Sequence, residues 1–375
     1  MVTADILAKG EAKSEALDEN ELAHLVALAP GGDEETALFE AAYRVKCREI
    51  GQRVSIRGLI EAGNVCAKDC YYCGIRRSNA NLHRYSLGAD EIVALARQAK
   101  ELGYASVVIQ TGEIESEAHT AFIEDVLRRI APLDLGVTLS LGEQTEETYR
   151  RWREAGATRY LLRIETSNRE LYAKLHPADH SWERRRDCLL ALGRCGYQVG
   201  TGVMCGLPGQ TPHDLARDII FYRDIGAHMI GMGPWIPHHD APLKRLSGAD
   251  APESTAKAQL HLGLRMIAAT RLYLHDVNIA AATALQALED DGREQGIKAG
   301  ANVIMPNVTA TEYRRAYQLY DGKPCLDENA GMCRRCLDMR LASIGESILY
   351  NERGDSKAFF RSLDCPFVGG AKEKK

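Results

Sequence analysis

The chain has 375 residues, and its 47 lysines and arginines nearly balance its 52 aspartates and glutamates, which leaves a formal charge of −5 and an isoelectric point near 6.2. Both signs are mixed along the sequence, so no basic stripe predicts binding to nucleic acid or to an anionic membrane. No run of about 18 apolar residues predicts a membrane span, and residues 1–28 do not resemble a secretory signal. We therefore expect a cytoplasmic protein that binds small molecules.

Short apolar runs alternate with helix-period segments from about residue 54 onward, which favours βα units and a parallel sheet. Eight strands are predicted, at residues 54–60, 106–113, 136–143, 159–166, 198–206, 228–235, 278–285 and 301–308. The stretch that they span matches the roughly 250 residues of a closed eight-stranded barrel. The sequence therefore predicts an α/β fold, a TIM-type (β/α)8 barrel over residues 51–308, with a doubly wound open sheet as the alternative.

The two ends of the chain lie outside this pattern. Residues 1–50 show helical periodicity without strand runs, and we expect them to form an N-terminal helical cap at the bottom of the barrel. Residues 309–375 are predicted to form a C-terminal extension, a lid or a tail.

Eleven cysteines are more than average, and disulfides rarely persist in a reducing compartment. Six of them form two tight groups, which are Cys66, Cys70 and Cys73, and Cys325, Cys333 and Cys336. Grouped cysteines are typical of metal ligands, whereas scattered ones are typical of packing. The grouping therefore favours metal or redox chemistry.

The first group, C-x3-C-x2-C, follows the first predicted strand and so lies at the carboxyl-terminal mouth of the barrel, where such folds place their chemistry. Three thiolates on one short loop can ligate three corners of a cubane and leave the fourth iron open for another ligand. The alternative is a structural zinc site, which would need a fourth ligand nearby.

This loop, with the aromatic Tyr72 before the last cysteine, resembles the signature of the radical S-adenosylmethionine (SAM) superfamily. The resemblance implies a 4Fe-4S cluster whose open iron is chelated by SAM. It also implies a reductant such as ferredoxin or flavodoxin, whose electron splits SAM into methionine and a 5′-deoxyadenosyl radical that attacks the substrate.

The same resemblance implies residues that bind SAM at the ends of later strands. Thr111-Gly112-Glu113 is similar to an element whose carboxylate accepts a hydrogen bond from the SAM ammonium group, and Gly112 would let backbone approach the ligand. Glu165 would contact the ribose, Arg185 the SAM carboxylate, and the loop of Gly206 the adenine. From the residues alone, the first and last elements are common turns, and Arg185 lies in a charge run that is usually solvated.

Several longer strings resemble the HydE family of FeFe hydrogenase maturases. They are CYYCGIRRSN (70–79), TLSLGE (138–143), RYLLRIET (159–166), GLPGQT (206–211), GMGPWIPH (231–238), ANVIMPN (301–307) and YRRAYQLY (313–320). This resemblance implies a role in assembling the diiron subsite of the hydrogenase H-cluster. It implies an iron–carbonyl–cyanide complex of cysteine as the substrate, received from the companion maturase HydG, and a product passed on toward HydF.

The family's barrel interior implies a set of groups that face the substrate. They are Thr138, Ser140, Arg159, Met229, Thr283 and Tyr313. Read as ordinary core residues, the methionine fits a filler and the hydroxyls fit partners of buried backbone groups. Arg159 is harder to explain, because a buried arginine needs an anionic partner, and an anionic substrate would fit.

The second cysteine group, C-x7-C-x2-C, resembles the ligands of an accessory 2Fe-2S or 4Fe-4S cluster found in some members of the HydE family. Cys325, Cys333 and Cys336 would hold it, with Cys365 as a weaker candidate for a fourth ligand. Three cysteines near a surface can also bind zinc, or no metal.

A second possible metal site, at His238 and His239, is not favoured, because adjacent residues on an extended segment point to opposite sides. Two other functions stay open. One is an enzyme similar to biotin synthase or methylornithine synthase that acts on a small amine or acid. The other is a non-catalytic Fe-S or zinc-binding protein, although electron carriers are usually small and use four cysteines per cluster.

Overall fold

The computed structural model of the chain describes residues 2–13, 15–243 and 255–364. Its centre is a parallel barrel. The strands are β1 (Arg53–Ile56), β2 (Gly58–Gly63), β3 (Ser106–Thr111), β4 (Gly136–Ser140), β5 (Ala157–Leu161), β6 (Gln198–Thr201), β7 (Met204–Cys205), β8 (Met229–Ile230), β9 (Gly233–Pro234), β10 (Asn278–Ile279), β11 (Val303–Ile304) and β12 (Ser347–Leu349). Consecutive residues of β3, such as Val107 and Val108, are both buried, as expected for a sheet covered on both faces.

Seven of these strands form one parallel sheet in the order β10-β8-β6-β5-β4-β3-β2. Single bridges then close the ring, because Ala280 after β10 pairs with Val303 of β11, and Asn307 after β11 pairs with Leu59 of β2. The predicted TIM-type barrel is therefore confirmed, and the alternative of an open sheet is excluded.

Several predicted strands are divided or shorter in the structure: 198–206 becomes β6 and β7, 228–235 becomes β8 and β9, and two further runs differ more strongly. The run 54–60 is interrupted at Arg57, and its first half, β1, pairs with β11 and with β12, a strand of the C-terminal extension that was not predicted. The predicted strand 278–285 ends at Ile279, and Thr283–Leu288 is a helix. Alanine-rich sequence prefers the helix, because alanine loses no side-chain entropy there.

Helices surround the barrel and follow its strands. They are Thr3–Ala12, Glu19–Val26, Asp33–Glu49, Ala89–Glu101, Glu117–Ile130, Glu146–Glu154, Arg169–Leu175, Trp182–Arg194, Pro212–Asp224, Ala256–Leu274, Thr283–Leu288, Gly292–Lys298, Thr311–Arg314, Ala330–Ser343 and Lys357–Asp364. Polar caps begin many of them; the Thr211 side chain, for example, accepts a hydrogen bond from the Asp214 N–H before a proline in the first turn. No helix in the described part of the chain is long and apolar enough to cross a bilayer.

The three N-terminal helices pack on the outer helices Pro212–Asp224 and Ala256–Leu274. Arg265 joins the layers, since its guanidinium donates to the Val26 carbonyl oxygen at 2.9 Å and pairs with Glu35 at 2.7 Å. These helices therefore lie against the outer layer, and a different segment fills the bottom of the barrel.

Residues 351–356 of the C-terminal extension fill that bottom, which we call the barrel floor. The fully buried Arg159 forms an ion pair with Asp355 and donates to the Arg353 carbonyl oxygen at 2.8 Å. The Gln198 amide donates to Asp355 at 2.5 Å and accepts from the Ser356 N–H at 3.0 Å. The anionic partner that a buried Arg159 needs is thus a carboxylate of the chain itself.

We expect Asp355→Asn to lower the free energy of unfolding by about 2–3 kcal/mol at pH 7, because it leaves the buried Arg159 guanidinium without a counter-charge. Urea unfolding of the full chain measures this loss. Asp134→Asn is the control, since it removes only the exposed pair with Arg353 and should cost less than about 0.5 kcal/mol.

The loss should depend on pH. Burial alone would raise the pKa of Asp355, but the Arg159 guanidinium and the Gln198 amide lower it more. A carboxyl with a lowered folded-state pKa stabilises the protein above its unfolded pKa, and this contribution is lost as the pH falls through the folded value. The difference between wild type and Asp355→Asn should therefore shrink below about pH 4, and equal differences at pH 7 and pH 3 would contradict this account.

Candidate active site

A cavity of about 330 Å³ lies at the carboxyl ends of the barrel strands. The three cysteines of the first group line it, and so do most of the residues predicted to contact SAM. These are Tyr72, Thr111, Gly112, Glu113, Glu165 and Arg185. The barrel therefore brings together residues from the ends of β2, β3 and β5 and from the helix Trp182–Arg194.

The cysteine loop is bound to the end of β3 by backbone hydrogen bonds. The Cys66 Sγ accepts from the Lys68 N–H at 3.4 Å and from the Glu113 N–H at 3.3 Å, and the Ala67 N–H donates to the Glu113 carbonyl oxygen at 2.8 Å. A Cβ at Gly112 would overlap the Val65 carbonyl oxygen. Gly112 is thus needed for the close approach of the cysteine loop.

The three cysteine sulfurs are available to a cluster, because Cys66, Cys70 and Cys73 all line the cavity as free thiols. A closed structural zinc site would need a fourth protein ligand, whereas a cubane held by three thiolates keeps one iron open to another ligand.

Burial raises the pKa of all three thiols, and that of Cys73 to about 12. Thiolates at these positions would need a nearby positive charge, which a bound iron cluster would supply.

Glu113 is held so that its carboxylate borders the cavity. Its Oε2 accepts from the Glu143 N–H at 2.9 Å, and its Oε1 lies 3.3 Å from the Lys68 Nζ. Gly142 has a φ of 78°, and a Cβ there would overlap the Glu113 side chain. Burial raises the pKa of Glu113. A cationic ligand in the cavity would stabilise its ionised form.

Arg185 and Lys68 share a second carboxylate, Glu143, that the sequence analysis did not single out. The Arg185 Nε donates to one oxygen of Glu143 at 2.6 Å, and the Lys68 Nζ to the other at 3.1 Å. Burial alone would raise the pKa of Glu143, but these two cations lower it. Glu143 ends the string TLSLGE at a strand terminus, and that position is the signal that could have identified it.

Arg185 is only 8% exposed, so the alternative of a solvated charge run is wrong for this residue. Its neighbours in the run are more exposed: Arg186 pairs with Asp187 at the surface, and the half-exposed Arg184 reaches Glu143 with its Nε at 3.2 Å. The helix thus turns one arginine of the run inward.

Glu165 lies beyond β5 with a φ of 68°, which is uncommon for a residue other than glycine. Its N–H donates to the Gly202 carbonyl oxygen at 3.1 Å, and its carbonyl oxygen accepts from the Met204 N–H at 3.1 Å. The Arg163 guanidinium lies 3.0 Å from its carboxylate. Backbone pairing on both sides holds this conformation and places the carboxylate at the cavity.

Gly206 does not line the cavity. Its N–H donates to the Gln210 side chain at 2.8 Å, and its carbonyl oxygen accepts from the Gln259 amide at 3.1 Å. Two residues earlier, Met204 does line the cavity. The GLPGQT turn therefore supports the wall from behind.

Four of the six predicted substrate residues line one of two adjoining cavities. Ser140 and Thr283 line the main cavity, whereas Thr138 and Met229 line a smaller cavity of about 20 Å³. Leu161, which lines both, shows that the two spaces adjoin.

Arg159 and Tyr313 lie elsewhere. Arg159 belongs to the barrel floor, where Asp355 neutralises it. The Tyr313 hydroxyl donates to Glu91 at 3.2 Å, and its ring stacks on Tyr85 with centroids 4.9 Å apart. The structure therefore does not bring these two side chains to either cavity.

The sequence analysis also missed Arg57. This buried residue lines the small cavity, donates to the Met229 Sδ at 2.9 Å and to the Gly354 carbonyl oxygen at 3.3 Å. Arg57 lies inside the predicted strand 54–60, and a charged residue in that mostly apolar run is the signal that could have identified it.

The second cysteine group lies apart from the cavity. Cys333 and Cys336 are one turn apart on the helix Ala330–Ser343, and the Arg293 guanidinium donates to the Cys325 Sγ at 3.7 Å. Burial, and then the neighbouring Cys325, raise the pKa of Cys333 to about 11. Among the described residues these three sulfurs are not all within 4.8 Å, and Cys365 lies outside the described residues.

The prediction that His238 and His239 point to opposite sides is wrong. Their rings stack with centroids 4.4 Å apart, and both lie near Asp321. The reason is a turn, since the Ala241 N–H donates to the His238 carbonyl oxygen at 3.0 Å and the backbone is not extended there.

The chain is similar to one family model and to several known proteins. A family model described as the radical SAM superfamily matches residues 60–221. The FeFe hydrogenase maturase subunit HydE of Thermotoga maritima is 44% identical over 309 residues, which are 82% of this chain and 86% of the relative. The 3-methylornithine synthase of Methanosarcina acetivorans is 26% identical over 308 residues, 81% and 84% of the two chains.

A crystal structure of methylornithine synthase, PylB, is similar with a TM-score of 0.76 at 22% identity, and the match covers 92% of this chain and 98% of that one. At this level of identity the likeness supports the fold, a barrel with the same extent.

We expect Cys70→Ala to abolish cluster uptake by the first group. The variant is made in a background where Cys325, Cys333 and Cys336 are alanine, so that iron at the second group does not interfere. Anaerobic reconstitution should load about four irons into that background and almost none into Cys70→Ala, because two thiolates hold a cubane poorly. Iron and sulfide analysis measures the difference.

Cys195→Ala is the matched control, since this cysteine lies far along the chain, packs at the edge of the core and donates to the Glu146 carbonyl oxygen at 3.8 Å. It should load as much iron as the background. Equal loading of Cys70→Ala and Cys195→Ala would show that the loop is not a cluster site.

Proposed function

Because the chain belongs to the HydE family of the radical SAM superfamily, we propose that its cavity modifies a small iron–carbonyl–cyanide complex of cysteine during maturation of FeFe hydrogenase. Membership makes the chain an enzyme of the HydE type that uses a 4Fe-4S cluster and SAM. One observation carries the substrate proposal: the three thiols of the cysteine loop and the residues proposed to hold SAM line the same cavity as Ser140 and Thr283.

The three thiolates of the cysteine loop would hold the cluster, and Glu113, Arg185 and Glu165 would hold SAM. When bound, the cluster supplies the electron that breaks the C5′–S bond of SAM, which yields methionine and a 5′-deoxyadenosyl radical. Glu113 suits the SAM ammonium group, because burial raises the pKa of this carboxyl and a cation beside it would stabilise the ionised form. Arg185 suits the SAM carboxylate through the guanidinium nitrogens that Glu143 does not occupy.

The remaining wall would hold the substrate. Ser140 and Thr283 offer hydroxyl groups, and the adjoining small cavity offers Thr138 and Met229. The main cavity's volume of about 330 Å³ and its partly apolar wall, with Leu59, Met305 and Leu319, would limit the water around a bound substrate, which protects a radical from side reactions.

The partners follow from the family. The substrate would come from HydG, the product would go on toward HydF, and ferredoxin or flavodoxin would supply electrons. All described cysteines are free thiols, which suits a reducing compartment, the cytoplasm. Cys325, Cys333 and Cys336 would hold a second cluster, of the 2Fe-2S or 4Fe-4S type.

The alternative, an enzyme of the biotin synthase or methylornithine synthase type, is less well supported. Identity to 3-methylornithine synthase is 26%, against 44% for HydE, over nearly the same length.

The experiment that tests the function is anaerobic. The reconstituted enzyme is reduced with dithionite, mixed with SAM and the iron–carbonyl–cyanide complex of cysteine, and analysed for 5′-deoxyadenosine, methionine and modified complex. We expect the complex to be consumed with SAM, and Cys70→Ala to be inactive. SAM cleavage without conversion of this complex would support the radical chemistry but contradict the proposed substrate.

We expect Arg185→Gln to raise the KM for SAM by about tenfold or more, since it removes a charge-assisted hydrogen bond to the SAM carboxylate. Cluster content, followed by iron analysis and absorption, should stay at the wild-type level. Arg186→Gln, which changes the adjacent surface arginine, is the control and should leave KM unchanged. A variant that loses cluster and SAM binding together would assign Arg185 a structural role.

A further inference from the structure

A segment of the C-terminal extension, Tyr317–Cys325, crosses the mouth of the barrel; we call it the strap. The Gly74 N–H, next to the cysteine loop, donates to the Leu319 carbonyl oxygen at 3.1 Å. The Asp321 N–H donates to the Pro237 carbonyl oxygen at 3.1 Å, and the Arg314 guanidinium to the Cys325 carbonyl oxygen at 2.9 Å. These contacts hold the strap against the cavity.

The strap carries Lys323 into the cavity wall. The Lys323 Nζ forms an ion pair with Glu61 of β2 and donates to the Tyr317 carbonyl oxygen at 2.8 Å. The side chains are only 10% and 3% exposed, and both residues line the main cavity. The other Glu61 oxygen accepts from the Asn307 amide at 2.8 Å.

A buried ion pair is a poor way to stabilise a fold, because removing two charges from water costs about as much as their attraction returns. Apolar side chains such as Leu59, Met305 and Leu319 line the same cavity and would close the wall at lower cost. A lysine and a glutamate side by side on a ligand-facing wall therefore indicate a ligand that carries charge.

The pair still has hydrogen-bonding capacity for such a ligand. Within the described residues, the Lys323 ammonium uses two of its three N–H donors. The Glu61 carboxylate has several lone pairs beyond the two that Lys323 and Asn307 occupy. Tyr320 lines the wall too. Burial raises the pKa of its hydroxyl, and the nearby Glu61 raises it further, so the hydroxyl stays protonated and can donate a hydrogen bond.

We infer that Glu61 and Lys323 bind the α-amino-acid part of the substrate, with Lys323 against its carboxylate and Glu61 against its ammonium group. The ligand's two charges would complete an alternating arrangement with the pair, in which every charge has an opposite neighbour. This inference rests on the proposed function, since it concerns recognition of the cysteine portion of that substrate.

Three iron–carbonyl–cyanide complexes test it: those of cysteine, of cysteamine, which lacks the carboxylate, and of 3-mercaptopropionate, which lacks the amine. Each is isotopically labelled in its iron. Binding to the cluster-loaded enzyme with SAM is measured by equilibrium dialysis and mass spectrometry. The wild type should prefer the cysteine complex to each of the others by about tenfold or more.

Lys323→Gln should bind the cysteine and cysteamine complexes equally, and Glu61→Gln should bind the cysteine and 3-mercaptopropionate complexes equally. Each comparison is a ratio within one variant, so a general loss of folded protein cancels. Lys323→Arg, which keeps the charge, should retain the preference for cysteine. Arg315→Gln is the matched control, because that exposed cation near the strap pairs only with Asp327, and all three affinities should stay at wild-type values.

The outcomes separate the two proposals. Wild-type binding of all three complexes with equal affinity, or a Lys323→Gln variant that keeps the wild-type order, overturns this inference alone. A wild type that cleaves SAM but binds none of the complexes overturns the proposed substrate and this inference together. If Lys323→Gln takes up no cluster, the Glu61→Gln comparison decides.

Discussion

The contact between the cysteine loop and the end of β3 is the constraint on which the rest of the site depends. Two N–H groups reach the Cys66 sulfur, and Gly112 lets the loop come so close that a side chain would collide with Val65. The same contact fixes Glu113, because its backbone donates to that sulfur while its carboxylate faces the cavity. The proposed cluster ligand Cys66 and the proposed SAM contact Glu113 are thus positioned by the same backbone contact.

Buried charged side chains are the second organising feature, and they have different partners at the two ends of the barrel. At the floor, Arg159 is neutralised by Asp355 of the chain, so this end is closed. At the mouth, Arg185 and Lys68 surround Glu143, while Glu113 retains a raised pKa. Charges that are only partly compensated favour a charged ligand, and the mouth is where the open space lies.

The C-terminal extension contributes residues to both ends of the barrel. Residues 351–356 form the floor, and the strap reaches the mouth with Lys323. Its contacts join residues hundreds of positions apart, such as Glu61 and Lys323, so removing the extension would open the barrel at both ends. The extension is therefore part of the barrel's structure, and the second cysteine group lies between its two points of attachment.

The sequence by itself determined the barrel and the position of the cysteine loop at its mouth, because strand periodicity, cysteine spacing and strand-end position are local properties; the resemblance to a family indicated the residues proposed to contact SAM, and most of them line the cavity. Only the tertiary structure decided the rest. Arg159 and Met229 look equally internal in sequence, yet one meets Asp355 at the floor and the other borders a cavity. Glu143, Arg57 and Lys323 have at most a weak local signal, a strand-end position or a charge, that does not reveal their partners. Their surroundings come from segments distant in sequence, and the energy of a buried charge depends on which groups folding places beside it.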